Sequence, residues 1–184
     1  MLDAAEGVIR RSGPGVSLER IAARAGVTKP VLFAHVGDRR ALVAALADRV
    51  LGRIERAAQS AVATALPGRP SLEAMLRASL ETIAADRHLY AFVNGAGGGD
   101  TTLAGTLEFA RRSAAPIIAG IGQGRLGAGL DATPAESWGY AIVGMLHMVG
   151  IWWLSDPTTE LDAAQLAAQL TDLLWGGLAL PGTP

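Results

Sequence analysis

The stretch from Ser17 to Leu42, SLERIAARAGVTKPVLFAHVGDRRAL, constrains the fold more than any other part of the chain. Its apolar residues first recur at helical spacing, and that pattern stops at Gly26, where a residue free to adopt positive φ lets a helix end in a sharp turn. Thr28 is a suitable cap for a second helix, and Pro30 fits its first turn, where a backbone amide has no partner. Two short helices joined by such a turn predict a helix-turn-helix, whose second helix can enter the major groove of DNA.

The same residues carry a resemblance to a known family. The segment IAARAGVTKPVLFAHVGDRRAL resembles the DNA-reading part of the tetracycline-repressor family of bacterial transcription factors. The shared features are a Gly-Val, a Pro, a Leu-aromatic pair, a His-Val and a basic residue before Arg-Ala-Leu, all in the same register. The clear resemblance covers about residues 1–55, and it implies a homodimer, double-stranded operator DNA as partner and a small-molecule effector.

The family register also implies which residues contact DNA. Lys29 can donate to a guanine or to a phosphate, and Arg39 occupies the phosphate-clamping position, which is normally a lysine. Phe33 stands where many members have a tyrosine, so the hydroxyl is missing. Glu19 replaces a base-reading arginine of the tetracycline repressor, and its carboxylate can accept from cytosine or simply repel the backbone. His35 is alternatively a capping or core histidine. The implied DNA-binding set is Ser17, Thr28, Lys29, Pro30, Val31, Phe33, Ala34, His35 and Arg39.

The composition predicts an all-α fold. Ala, Leu and Gly dominate the 184 residues, and runs of strand-forming residues are scarce. We expect about nine helices in two parts: a three-helix DNA-binding domain over residues 1–45 and a helical ligand-binding and dimerisation domain over residues 46–184. The absence of cysteine excludes disulfides and thiolate chemistry.

Charge is distributed unevenly along the chain. Residues 1–56 hold ten basic and six acidic side chains, a net charge of +4, whereas residues 57–184 have a net charge of −5. A basic N-terminal part on an acidic remainder is typical of a phosphate-binding head. The alternative is chance clustering on a solvated surface.

The first long helix after the helix-turn-helix is predicted to begin at Asp38, a good N-cap, and to run well beyond Ala57. A helix of that length is shared by both parts and can act as a lever. The segment 66–70 (LPGRP) ends it, and Ser71 is predicted to cap the next helix. Residues 88–93 then form a short apolar helix or turn, followed by a glycine-rich connection over residues 94–100.

Two further helices are predicted over residues 101–112 and 114–126, the second entered at Pro116. Gly122, Gly124 and Gly127 formally match the G-x-G-x-x-G pattern, but no strand precedes them, which argues against a dinucleotide site.

Thr133, Pro134 and Glu136 have the spacing of a capping box and predict the start of a long apolar helix. Residues 137–155 are long enough to test against a membrane span, yet acids flank them and His147 interrupts them, so we favour a helix buried in the protein. In the family this helix lies between the partner subunit and the ligand cavity. The expected effector-binding residues are Tyr90, Phe92, Trp138, Met145, His147, Met148 and Trp152.

A last helix is predicted over residues 161–178, with alternating large and small side chains that allow close helix packing. The two C-terminal helices are expected to build a four-helix dimer interface, with an ordinary intramolecular core as the alternative. The expected interface residues are Ile142, Val149, Leu166, Leu170 and Leu174.

Enzyme chemistry is not indicated. The three histidines are far apart in sequence, and neither H-E-x-x-H nor G-x-S-x-G occurs. We therefore predict no catalytic residues, metal or cofactor. Charged residues interrupt any apolar run at the start, so we expect a cytoplasmic protein and no membrane partner. The favoured function is a ligand-responsive, dimeric transcriptional repressor; the alternative is a helical binding module for a hydrophobic small molecule.

Overall fold

The computed structural model describes residues 1–96, 103–156 and 158–177. Within these ranges the chain forms nine α-helices and no strand, which confirms the all-α prediction. A short π-helical segment, Phe92–Ala96, continues the sixth helix. The helices are α1 (Leu2–Ser12), α2 (Leu18–Arg24), α3 (Lys29–Val36), α4 (Arg39–Thr64), α5 (Arg69–Ala85), α6 (Arg87–Ala91), α7 (Leu103–Gly127), α8 (Ala135–Ser155) and α9 (Ala163–Gly176).

Helices α1 to α3 and the first half of α4 form a head around one apolar core. Ile9, Ile21, Leu32 and Leu46 are almost completely buried in it, one from each of these helices. Residues around α6, among them Phe92, belong to the same cluster. The head is therefore packed directly onto the remaining helices, the second half of α4 and α5 to α9, which we call the body, and is not connected to it through α4 alone.

The body has a second core between α5 and α9. Leu76 and Leu80 of α5 pack against Leu166 and Leu170 of α9. Helix α5 also packs along α4, while α7 and α8 form an antiparallel pair beside them. No helix in the described parts of the chain is long and apolar enough to cross a membrane.

Two of the three caps predicted for the head helices, Ser17 and Asp38, are confirmed by their hydrogen bonds. The Ser17 hydroxyl accepts from the amide of Arg20 at 3.3 Å, and the Asp38 carboxylate accepts from the amide of Ala41 at 2.7 Å. Thr28 occupies the N-cap position of α3, although its side chain makes no capping hydrogen bond.

Three helix starts in the body differ from the prediction. Helix α5 begins at Arg69 after Gly68, whose φ of 93° turns the chain, so Ser71 lies inside the first turn and does not cap it. No capping box forms at α8, because the Thr133 hydroxyl donates to Asp131 and the helix begins only after Pro134. The last helix begins two residues later than predicted, where Asp162 and Gln165 form a capping box, and it ends at Gly176. At each of these starts the residue type alone does not identify the cap, because the local turn geometry decides which residue occupies the N-cap position.

Helix α7 replaces the two helices predicted on either side of Ser113. It continues through Pro116, which is exposed. A proline removes one amide donor and leaves the carbonyl four residues earlier without its partner, and here that residue, Arg112, is also exposed to water. Gly122, Gly124 and Gly127 belong to this helix, so they do not form a phosphate-binding loop. Residues 97–102 of the predicted glycine-rich connection and helix start lie outside the described residues.

Candidate nucleic-acid interface

The surface expected to contact DNA, called the recognition surface below, is formed by α2 and α3 around the predicted turn. Gly26 has a φ of 72°, and the amide of Val27 donates to the carbonyl of Ala22 at 3.1 Å, closing the turn. Leu32 anchors α3 in the head core with 1% exposure. The opposite side of α3 therefore faces solvent. Of the predicted DNA-contacting residues, the structure exposes Ser17, Thr28, Lys29, Pro30, Val31, Ala34 and His35.

Phe33 and His35 are placed differently from their neighbours. Phe33 is half-buried and packs against the head core, so only part of its ring faces outwards. The Nδ1 atom of His35 lies 2.9 Å from the carbonyl oxygen of Val31, which keeps the ring against its own helix. Neither residue is in the core proper, and their roles in DNA binding stay predictions.

Lys29 forms an ion pair across the turn with Glu19. The ammonium Nζ donates to Oε1 of Glu19 at 2.6 Å, and it also lies 5.9 Å from the centroid of the Phe33 ring. The hydrogen bond from Lys29 lowers the pKa of Glu19 to about 2. The carboxylate is thus ionised at neutral pH, and it stands on the same exposed surface as the lysine.

Arg39, the predicted phosphate clamp, is the first residue of α4 and is half-buried beside the Asp38 cap. Arg20, Arg24 and Arg40 are exposed on the head as well. These three arginines were not predicted as DNA contacts from the sequence. The signal available was their basic charge next to the recognition segment, but charge alone does not tell which way a helix faces.

Other basic residues of the head are engaged in an ion-pair network, in which Glu6, 4% exposed, is the central acid. Arg10 donates to Glu6 at 2.9 Å and to both oxygens of Asp86, at 2.5 and 2.8 Å. Arg53 donates to both oxygens of Glu6 at 3.2 Å, and its Nε lies 3.4 Å from Asp86. Arg49 joins the same network through Glu6 and Asp3. The network ties α1, α4 and the start of α6 together.

Part of the head's positive charge is consequently neutralised away from the recognition surface. The hydrogen bond from Arg10, with its positive charge, lowers the pKa of Asp86. In the sequence, only the four-residue spacing of Glu6 and Arg10 on one helix indicated any of these pairs. The contacts to Asp86 join residues far apart in the chain and had no sequence signal.

The structure brings some of the predicted effector residues together and separates others. Tyr90 and Phe92 are buried, and the Tyr90 hydroxyl shares a hydrogen bond of 3.0 Å with Nδ1 of His147. The ring of Phe109 lies 5.2 Å from that of His147. Burial lowers the pKa of His147 and raises that of Tyr90, so both are neutral at pH 7. Met145 packs instead on the α5–α9 core.

The other three predicted effector residues lie on the outer side of α8. Trp138, Met148 and Trp152 are 48%, 62% and 49% exposed. His147 lies on a different face of α8 from these three residues, so they are separated from the pair that it forms with Tyr90. A helix that is apolar all round gives no periodic signal of which face is inside.

The predicted dimer residues face the interior of the chain. Ile142, Leu166 and Leu170 are buried in the single chain, and Val149 and Leu174 pack against the α5–α9 core. Their contribution to an interface between subunits stays a prediction. Exposed apolar residues on the same two helices, such as Leu173, were not predicted.

An exposed recognition helix on a compact helical head, joined by a long shared helix to an all-helical body, is the architecture of a helix-turn-helix transcriptional regulator. The chain belongs to the tetR family of bacterial regulatory proteins, whose N-terminal model matches residues 1–46 and whose tetracyclin repressor-like C-terminal domain matches residues 57–183.

Similar proteins agree with this assignment. Two uncharacterised HTH-type transcriptional regulators from strains of Mycobacterium tuberculosis are 30% identical over 97% of this chain and 75% of their own length. The fold is similar to that of the fatty acid degradation regulator FadR from Bacillus halodurans, with a TM-score of 0.72, 21% identity and coverage of 96% and 93% of the two chains. The regulator PfmR from Thermus thermophilus gives a TM-score of 0.66, with 19% identity and coverage of 97% and 98%.

Proposed function

We propose that this protein is a ligand-responsive repressor that binds a palindromic operator as a homodimer and is released by a small, largely apolar effector. The observation that carries the proposal is the exposed side of α3, where the residues expected to contact DNA stand on one surface. With operator DNA as its partner, the protein would work in the cytoplasm.

The exposed apolar side of the two C-terminal helices supports the proposed dimer. Trp138, Met148 and Trp152 on α8 and Leu173 on α9 are each more than a third exposed. Covering such side chains with a second copy removes apolar area from water, which stabilises association by about 25 cal/mol per Å². A two-fold dimer then places its recognition helices about 34 Å apart, one turn of DNA.

The effector is proposed to bind beside Tyr90 and His147, between α6, α7 and α8. Phe109 and buried aliphatic side chains surround these two groups, so the surroundings favour an apolar compound. The two neutral polar side chains supply a hydrogen-bonding point that can orient it. FadR, one of the structural neighbours, is described as a regulator of fatty acid degradation, which is in keeping with an apolar effector.

The ion-pair network is proposed to couple the effector to the head. The amide of Tyr90 donates to the carbonyl of Asp86 at 2.9 Å, so the two residues are one helical turn apart. The Asp86 side chain binds Arg10 of α1, and Nδ1 of His88 lies 2.8 Å from the Arg10 carbonyl. An effector that displaces Tyr90 thus moves the residues that hold α1, and α1 packs on α2.

Gel-shift titration of the protein with DNA from upstream of its own gene, over a series of salt concentrations, tests DNA binding. We expect specific retardation that weakens steeply with salt, because phosphate contacts release counterions. Arg39→Ala should lower affinity for all duplexes and flatten the salt slope by about one charge per subunit. Arg77→Ala, which removes the same charge from an exposed position on α5, is the control and should change neither. Absence of specific retardation by the wild-type protein would reject the repressor and leave the alternative of a binding module.

A further inference from the structure

The Glu19–Lys29 ion pair stands on the recognition surface and has no evident role in holding the fold. The Glu19 side chain is 63% exposed and the Lys29 side chain 43% exposed. Exposed ion pairs contribute little to stability, and α2 and α3 already pack through buried Ile21 and Leu32. The pair therefore holds two charged groups side by side on the recognition surface.

The pair presents a hydrogen-bond donor next to an acceptor. The ammonium has three N–H donors, of which one points to Oε1 of Glu19 at 2.6 Å. The carboxylate has two oxygens, and each accepts more than one hydrogen bond. Both groups retain hydrogen-bonding capacity towards a third partner while they remain paired.

The major-groove edge of a G·C pair offers the complementary arrangement. Guanine presents N7 and O6 as acceptors, and the N4 amino group of cytosine is a donor beside O6. We propose that Glu19 and Lys29 act as one specificity-determining unit that reads a G·C pair in each operator half-site, with Lys29 donating to guanine and Glu19 accepting from cytosine. This inference rests on the proposed function, because it assumes that α3 enters the major groove.

An A·T pair fits the same unit poorly. Its donor, adenine N6, lies between the acceptors N7 and O4, and the thymine methyl group stands beside O4. A carboxylate placed on N6 leaves the ammonium a single acceptor on either side, N7 or O4, whereas guanine offers it N7 and O6 together. The unit also has no net charge, so it adds little to the attraction for phosphates that all sequences share.

Selection from a randomised duplex library, followed by anisotropy titrations of the selected duplexes, tests the unit in the full-length protein. The wild-type protein should select a motif with a G·C pair at one fixed position in each half-site. Replacing that pair by A·T should weaken wild-type binding by about 5- to 150-fold. In Glu19→Ala and Lys29→Met this discrimination at that position should fall close to one, while the rest of the motif is retained.

Glu19→Ala should in addition bind random-sequence DNA more tightly, because the released Lys29 ammonium is available to phosphate, and its salt slope should steepen by about 0.9 per subunit of the dimer. Glu81→Ala, which removes an exposed carboxylate from α5, is the matched control and should select the wild-type motif. A Glu19→Ala protein that selects the same motif with undiminished G·C discrimination overturns the inference and leaves the repressor intact. If the wild-type protein selects no motif at all, the proposed function fails together with it.

Discussion

At the scale of single residues, the arginines of the head divide into two groups that sequence does not distinguish. Arg10 and Arg53 are held by Glu6 and Asp86 inside the head–body junction. Arg20 and Arg40 stand on the exposed side of the head. Since a guanidinium is charged at every relevant pH, the difference between the groups lies only in the partners that the fold supplies.

The Arg10–Asp86 pair gives acid sensitivity to the junction. The pKa of Asp86 is lowered in the folded chain, so its contribution to stability is present above about pH 4, the unfolded value, and is lost as the pH falls through the folded value. Asp86→Asn should cost about 1 kcal/mol at pH 7, because a charge-assisted hydrogen bond is lost but Arg10 is 41% exposed. Below pH 4 the difference between variant and wild type should shrink, as measured by urea unfolding across the pH range.

Asp172→Asn provides the control for that experiment. Asp172 pairs with Arg69, and both side chains are about half exposed or more, so its removal should change stability by less than about 0.5 kcal/mol. Equal effects of the two substitutions would show that the junction pair has no special contribution.

At the scale of helices, the contact between α7 and α8 depends on Gly139. A Cβ atom at this position would overlap Cγ1 of Ile118 and would lie 3.4 Å from the backbone nitrogen of that residue. The α7 backbone cannot retreat without moving the whole helix, so the close approach of the two helices requires a residue without a side chain.

Gly139→Ala should therefore destabilise the protein by about 1–3 kcal/mol through overpacking. The control is Gly124→Ala on α7, where nothing lies within 4 Å of the added Cβ. That substitution should raise stability by up to about 1 kcal/mol, because alanine is the better helix former. Guanidinium unfolding of both variants measures the contrast, and a stabilised Gly139→Ala protein would refute the close packing of α7 on α8.

At the scale of the whole molecule, a substitution on the outer side of α8 can test dimer formation without disturbing the folded chain. Trp152→Glu places a charge on a half-exposed residue, so the chain should stay folded while the proposed dimer dissociates. Its affinity for a full palindrome should then drop by at least about tenfold, since the two half-sites no longer bind together. Leu66→Glu, at a 75% exposed position between α4 and α5, should remain dimeric.

Light scattering measures the oligomeric state of the two variants, and circular dichroism measures whether they are folded. Leu170→Glu is a poor test of assembly, because Leu170 is 7% exposed within a single chain and the charge should unfold the α5–α9 core. A folded and dimeric Trp152→Glu protein would place the interface elsewhere.

Linkage between effector and operator is also a property of the whole molecule. A compound releases the repressor only through different affinities for the free and DNA-bound states. Operator should therefore weaken effector binding by the same factor by which effector weakens operator binding, typically about 5- to 150-fold. Titrating a panel of apolar compounds against tryptophan emission, with and without saturating operator duplex, measures that factor. A compound bound equally well in both conditions is not an inducer.

The sequence by itself determined the local structure of the head. Ser17, Gly26 and Asp38 act within four residues of their own positions, through hydrogen bonds or backbone freedom that need no distant partner. The family resemblance over this segment then carried the class of function. In the body, Thr133 and Ser71 do not cap the helices that they were predicted to cap. The Thr133 hydroxyl donates to Asp131 instead, and the turn at Gly68 starts α5 before Ser71.

Only the tertiary structure decided which faces of the apolar helices are covered. Trp152 and Leu170 are both large apolar residues in the two C-terminal helices. Trp152 is nevertheless half exposed, whereas Leu170 is buried against α5. The Arg10–Asp86 and Glu19–Lys29 pairs likewise depend on where helices meet. The physical reason is that hydrophobic burial has no direction of its own, and a charge finds its partner only after packing has brought two helices together.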